Sequence, residues 1–204
     1  MSITSGLPCA HCGQPHGEVP FAYGTAAPAY WDEGSAGRPG TVLGDEQCVI
    51  DGEHFFVRAR LVLPVVDAEE QFEWGVWVSL APHTFDRMSA LWTDPRRVEE
   101  PACFGWLSTV LPLYEPTTLN LKTMVHTGPV GVRPTVELEP TDHPLAVEQR
   151  TGITVARVRE IAERLPHPEV PASPPLGLRL DSNRHRHATS NRVGGKEDCS
   201  HGEE

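Results

Sequence analysis

No apolar run in this 204-residue chain approaches the ~20 residues a helix needs to cross a bilayer, which argues against a helical membrane span. Residues 1–8 hold no basic stretch followed by an apolar one, so no secretory leader is expected. Cysteine is scarce: five residues, an odd number thinly spread, do not make a disulfide framework. Positive charge is also short, with 17 Lys and Arg against 28 Asp and Glu, a net charge of -11. A phosphate-backbone partner needs cations to neutralise it, so nucleic acid is not the expected ligand. Internal repeats are missing, as are G-x-S-x-G, H-E-x-x-H, P-loop and dinucleotide-binding patterns. These absences leave a soluble cytoplasmic protein as the expectation.

What is present suffices for a fold. Apolar residues make up 39% of the chain and include five Trp. The length suits one domain of roughly 150 residues with appendages, large enough to bury a core without staples. Near the start, Cys9 and Cys12 form a CxxC followed by Gly13 and, at position 16, His16. Such a turn points both sulfurs at one spot, and Gly lets backbone amides approach them. In a reducing compartment that is half of a zinc site. A redox CxxC should precede a helix, and Gly13, Gln14 and Pro15 argue against one.

Residues 17–47 form an irregular arm rich in Pro and Gly, with Phe21, Tyr23, Tyr30 and Trp31 free to pack onto the body. A hairpin follows, because Asp51 and Gly52 supply the positive φ of a two-residue turn between Cys48 and residues 53–65. Phe55, Val57, Ala59, Leu61 and Leu63 should face the core, as should Phe72, Trp74, Val76, Val78 and Leu80 of the next strand. Helical spacing is expected over residues 82–92, stopped by Asp94 and Pro95. Further strands are expected over 103–110, 118–126 and 133–139, then helices over 143–150 and 154–165, the second capped by Thr154. Beyond Pro166 the composition turns Pro-rich and then polar, which predicts a disordered tail over 166–204.

Several blocks of this sequence resemble a bacterial family known as domain of unknown function 2199. They are the CxxCGxxH opening, Cys48-Val49-Ile50-Asp51, Phe55-Phe56-Val57-Arg58 and Trp74-Gly75-Val76-Trp77-Val78-Ser79. Phe104-Gly105-Trp106-Leu107, Arg133-Pro134 and Thr141-Asp142-His143-Pro144-Leu145 complete the set. The resemblance spans residues 8–165 and implies one compact domain, with no established activity. Ala59 departs from it, standing where Gly is expected, and the tail lies beyond it.

Zinc favours four N or S ligands in a closed tetrahedron. With a two-residue turn at Asp51 and Gly52, Cys48 would pair with Phe55 and share its face, while His54 would lie on the other. That selects Cys9, Cys12, His16 and Cys48 as the expected structural zinc ligands. The bland alternative is a reduced CxxC, with Cys48 a small core residue.

The remaining clusters are weaker. Asp142 and His143 read first as a helix start, since Pro144 suits the first turn. Cys103 with His126 is a thin case for a nucleophile and base, because Cys103 sits in an apolar strand. In the C-terminal helix pair Glu160 and Glu163 balance Arg157, Arg159 and Arg164, which disfavours a DNA-reading helix. His185, His187, Cys199 and His201 are irregularly spaced and are assigned no site.

The expected architecture is α+β: a mainly antiparallel sheet of about five to seven strands, with helices packed on one face. It occupies residues 1–165, with the knuckle at 7–16. The expected function is a non-catalytic, zinc-stabilised binding or adapter domain for an unknown protein or small-molecule partner. The alternatives are a hydrolase-like enzyme using His126, Arg133 and His143 in one pocket, and a DNA-binding regulator acting through the C-terminal helices.

Overall fold

The computed structural model describes residues 19–165. Cys9, Cys12 and His16 of the expected knuckle, and the segment 166–204, lie outside the described residues. Proline and glycine keep the arm irregular except for two short strands, β1 (Ala22–Gly24) and β2 (Val42–Leu43). The body continues with β3 (Gln47–Ile50), β4 (His54–Leu63), β5 (Phe72–Leu80) and helix α1 (Pro82–Ala90). A 3-10 helix (Pro95–Glu99), β6 (Cys103–Leu107), β7 (Lys122–His126) and β8 (Thr135–Leu138) follow, then α2 (Pro144–Thr151) and α3 (Val155–Arg164).

Alternation along β4 organises the core. Val57, Ala59, Leu61 and Leu63 are fully buried, while Arg58, Arg60 and Val62 project from the opposite face. In antiparallel register, Val57 faces Val78, Ala59 faces Val76, Leu61 faces Trp74 and Leu63 faces Phe72. Each large side chain so buried contributes roughly 1.5–3 kcal/mol before conformational entropy is counted.

The expected antiparallel sheet closes into a barrel. β5 pairs with β6, β6 with β7 and β7 with β8, all antiparallel, and β8 returns to β4. That last contact is parallel and short: Arg60 is in register with Thr135, and its N–H donates to the Pro134 carbonyl at 2.8 Å. The five strands β4 to β8 form the ring, with β2 and β3 extending the sheet beyond β4 and β1 lying parallel to β5. The helices do pack on the strands as expected. Phe85 and Met88 of α1, Leu145 and Ala146 of α2, and Val158 and Ile161 of α3 join the same apolar cluster as the strand interiors.

A second, smaller cluster forms on the outer face. Cys48, Ile50, Phe56 and Trp77 are buried there, with Trp31 of the arm against them. Trp77 is sealed under the arm, its Nε1–H donating to the Thr25 carbonyl at 3.3 Å. The arm aromatics therefore cover the Trp that alternation places outside the core.

The hairpin register differs from expectation by one residue. Asp51 and Gly52 both take positive φ, and Glu53 N–H closes the turn onto the Ile50 carbonyl at 3.1 Å. The ladder, however, resumes at Ile50 opposite His54, so Glu53 is an extra residue. Cys48 pairs with Phe56 rather than Phe55, on the face away from Val57. A slip of one residue exchanges faces, so Cys48 and His54 share a face instead of being separated. None of the helices among the described residues is long and apolar enough to cross a membrane.

Candidate functional site: an arginine-lined cleft

Four chain segments meet on the barrel's outer surface beside its parallel closure. Arg60 comes from the outward face of β4, and Arg133 from the residues just before β8. Trp92 follows α1, and Arg97 sits in the 3-10 helix. With Glu46, Gly131 and Val132 they line a cleft of about 440 Å³. The 3-10 helix is set locally by Asp94, which accepts the Arg96 N–H at 2.9 Å, and by Pro95 in its first turn.

Arg97 is the unusual member. Only 2% of its surface is exposed, and its guanidinium lies 4.8 Å from the centre of the Trp92 ring. Nη1 donates to the Trp92 carbonyl at 2.9 Å, but Nη2 is buried without a hydrogen-bond partner. Burial lowers its pKa from the usual guanidinium value, although a guanidinium remains a cation at neutral pH. Among the described residues no ion pair includes Arg97.

Its neighbours are matched. Arg133 meets Glu46 through Nε and Nη2, at 2.8 and 2.6 Å, and those hydrogen bonds lead in raising its pKa. Arg60 Nη1 lies 2.8 Å from Glu73 Oε1, while its Nε is buried and unpartnered. The lining thus carries three guanidinium groups against one carboxylate. Ser, Cys and His are not among its lining residues, so the arrangement suits holding an anion more than attacking a bond.

The residues expected to share a catalytic pocket do not meet. His126 lies on the exposed face of β7, 3.3 Å from Glu137. His143 is buried as the N-cap of α2, its Nδ1 accepting the Leu145 N–H at 3.1 Å. The ring proton then belongs to Nε2, which lies 2.9 Å from the Pro116 carbonyl. Only Arg133 of the three reaches the cleft. The helix-start reading of Thr141 to Leu145 holds, with His143 as the capping residue in place of Thr141 or Asp142.

Cys103 is opposite Val125 in the β6–β7 ladder, which puts the adjacent His126 on the other face. Burial also pushes the Cys103 thiol up from its ordinary value, opposite to what a nucleophile needs. In the helix pair, Arg157 reaches Glu148 and Glu160, each at 2.9 Å, and Arg164 reaches Glu160 at 3.2 Å. Arg157 and Arg164 are thus taken up in ion pairs within the helix pair.

Of the expected zinc ligands, only Cys48 is described. Its thiol type suits zinc, and its face also carries His54, which is exposed. Without metal, burial among Ile50, Phe56 and Trp77 pushes its thiol up to about 11. Among the described residues no group of three or more His, Cys, Asp or Glu could hold a metal ion.

Among the described residues, a closed five-stranded barrel, extended by three outer strands and packed with three α-helices, defines an α+β domain with a cation-lined cleft at its seam. The chain belongs to the family described as "Uncharacterized protein conserved in bacteria (DUF2199)", which it matches over residues 8–153. No curated protein and no solved structure matches it.

Proposed function

We propose that this chain is a non-catalytic binding domain that receives its ligand in the arginine-lined cleft. The observation that carries this reading is Arg97: a guanidinium 98% removed from solvent, in no ion pair among the described residues and with Nη2 unpartnered. Leaving one charge of a pair buried alone is costly, by about 3–5 kcal/mol where such pairs have been broken. A ligand that supplies the missing charge turns that cost into affinity. The separation of His126, Arg133 and His143 supports binding over turnover.

The assay is direct. Full-length protein incubated with p-nitrophenyl acetate and p-nitrophenyl phosphate is expected to release no nitrophenolate above buffer. Steady release that is lost on His126→Ala or His143→Ala would establish the hydrolase alternative instead.

Zinc belongs to the same proposal as a structural ion. Cys9, Cys12, His16 and Cys48 would hold it, and the ion's chemistry there is to close the N-terminal turn on the outer cluster. His54, which shares the face of Cys48, is the competing distant ligand. Protein purified with its thiols reduced should carry one zinc per chain. Cys9→Ser should remove it, and Cys48→Ser should remove it where His54→Ala does not. No zinc in the reduced protein would sink the ligand set.

A further inference from the structure

We infer that the cleft takes a carboxylate carried on a flat apolar body, with Arg97 as its buried anchor. The inference rests on the cleft being the domain's binding site and names what that site selects. The charge follows from the lining: Arg60, Arg97 and Arg133 against Glu46, in a chain of net charge -11. An excess of cations this local does not follow the overall charge. Glu46 and Glu73 already occupy Arg133 and Arg60, so the charge without a counterpart is that of Arg97.

The geometry selects a planar oxyanion. A guanidinium presents its donors in one plane, which a carboxylate matches edge to edge. The apolar walls select what carries it. Trp92, stacked with Arg97, and Val132, 39% exposed, are the apolar side chains of the lining. A cleft whose apolar lining is an indole and an isopropyl group accepts a flat ring more readily than a hydrated chain. The volume, about 440 Å³, falls within the range of small-molecule sites.

Calorimetric titration of the full chain with benzoate, benzamide and acetate tests this. Benzamide keeps the ring without the charge, and acetate keeps the charge without the ring. Saturable one-to-one binding of benzoate is expected, with none of benzamide and a dissociation constant for acetate at least about tenfold weaker. Arg97→Gln should abolish benzoate binding.

Because a buried substitution can prevent folding, Val132→Glu provides a second arm. It places a fixed carboxylate at the exposed wall and should weaken benzoate by about tenfold or more without moving the thermal midpoint. Benzoate binding that is absent, no better than benzamide, no better than acetate, or indifferent to Val132→Glu would overturn the inference. Failure here with no ester turnover sinks the carboxylate alone. Nitrophenolate release sinks the non-catalytic reading whatever benzoate does.

Discussion

Arg133 and Glu46, 87 positions apart, join through two parallel hydrogen bonds that tie the approach to β8 to the residue before β3. The same Glu46 offers its carbonyl to the Arg58 N–H at 2.8 Å, so the pair braces β4 from its outer edge. Both side chains are about one-third exposed, which screens the attraction. Glu46→Gln should therefore cost about 1 kcal/mol, read as a lower urea midpoint. The difference from the parent protein should shrink as salt is raised, and a salt-independent loss would point to packing instead.

Gly105 lies where β6 crosses the end of β5. A Cβ at this position would meet Val78 Cγ1 and sit 2.8 Å from the Ser79 carbonyl oxygen. Neither can retreat without opening the β5–β6 pairing, in which Ser79 faces Trp106. Gly105→Ala should destabilise by about 1–3 kcal/mol by chemical denaturation. A change within about 0.5 kcal/mol would mean that β6 shifts freely.

Tyr114 gives an alkaline signature. Its hydroxyl donates to Glu148 Oε2 at 2.6 Å, and Arg157 lies 5.7 Å from its ring centre. Burial first, and Glu148 second, push the phenol well above its ordinary value. The folded state thus favours the protonated phenol. Its contribution is intact below the unfolded pKa of about 10 and is lost as pH rises towards the folded value. Tyr114→Phe should cost about 1 kcal/mol at neutral pH and flatten the loss of stability above about pH 10. An unaltered alkaline slope in the variant would assign that slope to other groups.

Asp94 gives the acid counterpart. Its hydrogen bonds to the Arg96 side chain, and then to the Arg96 N–H, hold its carboxyl down at about 2. The charged form is favoured on folding, so its support is present above the ordinary carboxylate range and disappears as pH falls towards 2. Carboxyl carbon shifts followed by NMR should titrate near that value. Asp94→Ala removes the cap of the 3-10 helix and should speed amide exchange at residues 95–99 while leaving α2 unchanged. A titration midpoint in the ordinary Asp range would remove the cap from the account.

Much of the fold is legible in the sequence because alternation is local. The inward sets of β4 and β5, and the buried stripe of α3, follow from period 2 and period 3.6 alone. The hairpin shows where such reading ends. Asp51 and Gly52 do make the turn, but the added Glu53 changes which residue faces Phe56, and composition carries no trace of that addition. Barrel closure is equally silent, because one parallel pairing of Arg60 with Thr135 leaves no periodic mark.

The cleft was hidden for the same reason. Arg60, Arg97 and Arg133 stand in three separate segments, and only the closure gathers them. One signal was available: Asp94 followed by Pro95, read as a stop, is also the signature of a helix start.

That closure has a consequence for how the ring is held together. The seam between β4 and β8 is the weakest-sewn joint of the ring, held in register at a single position. The cleft straddles it, with Arg60 on one lip and Arg133 on the other. Both lips carry matched charge, Arg60 with Glu73 and Arg133 with Glu46, so ion pairs brace the ring where its backbone ladder is thinnest.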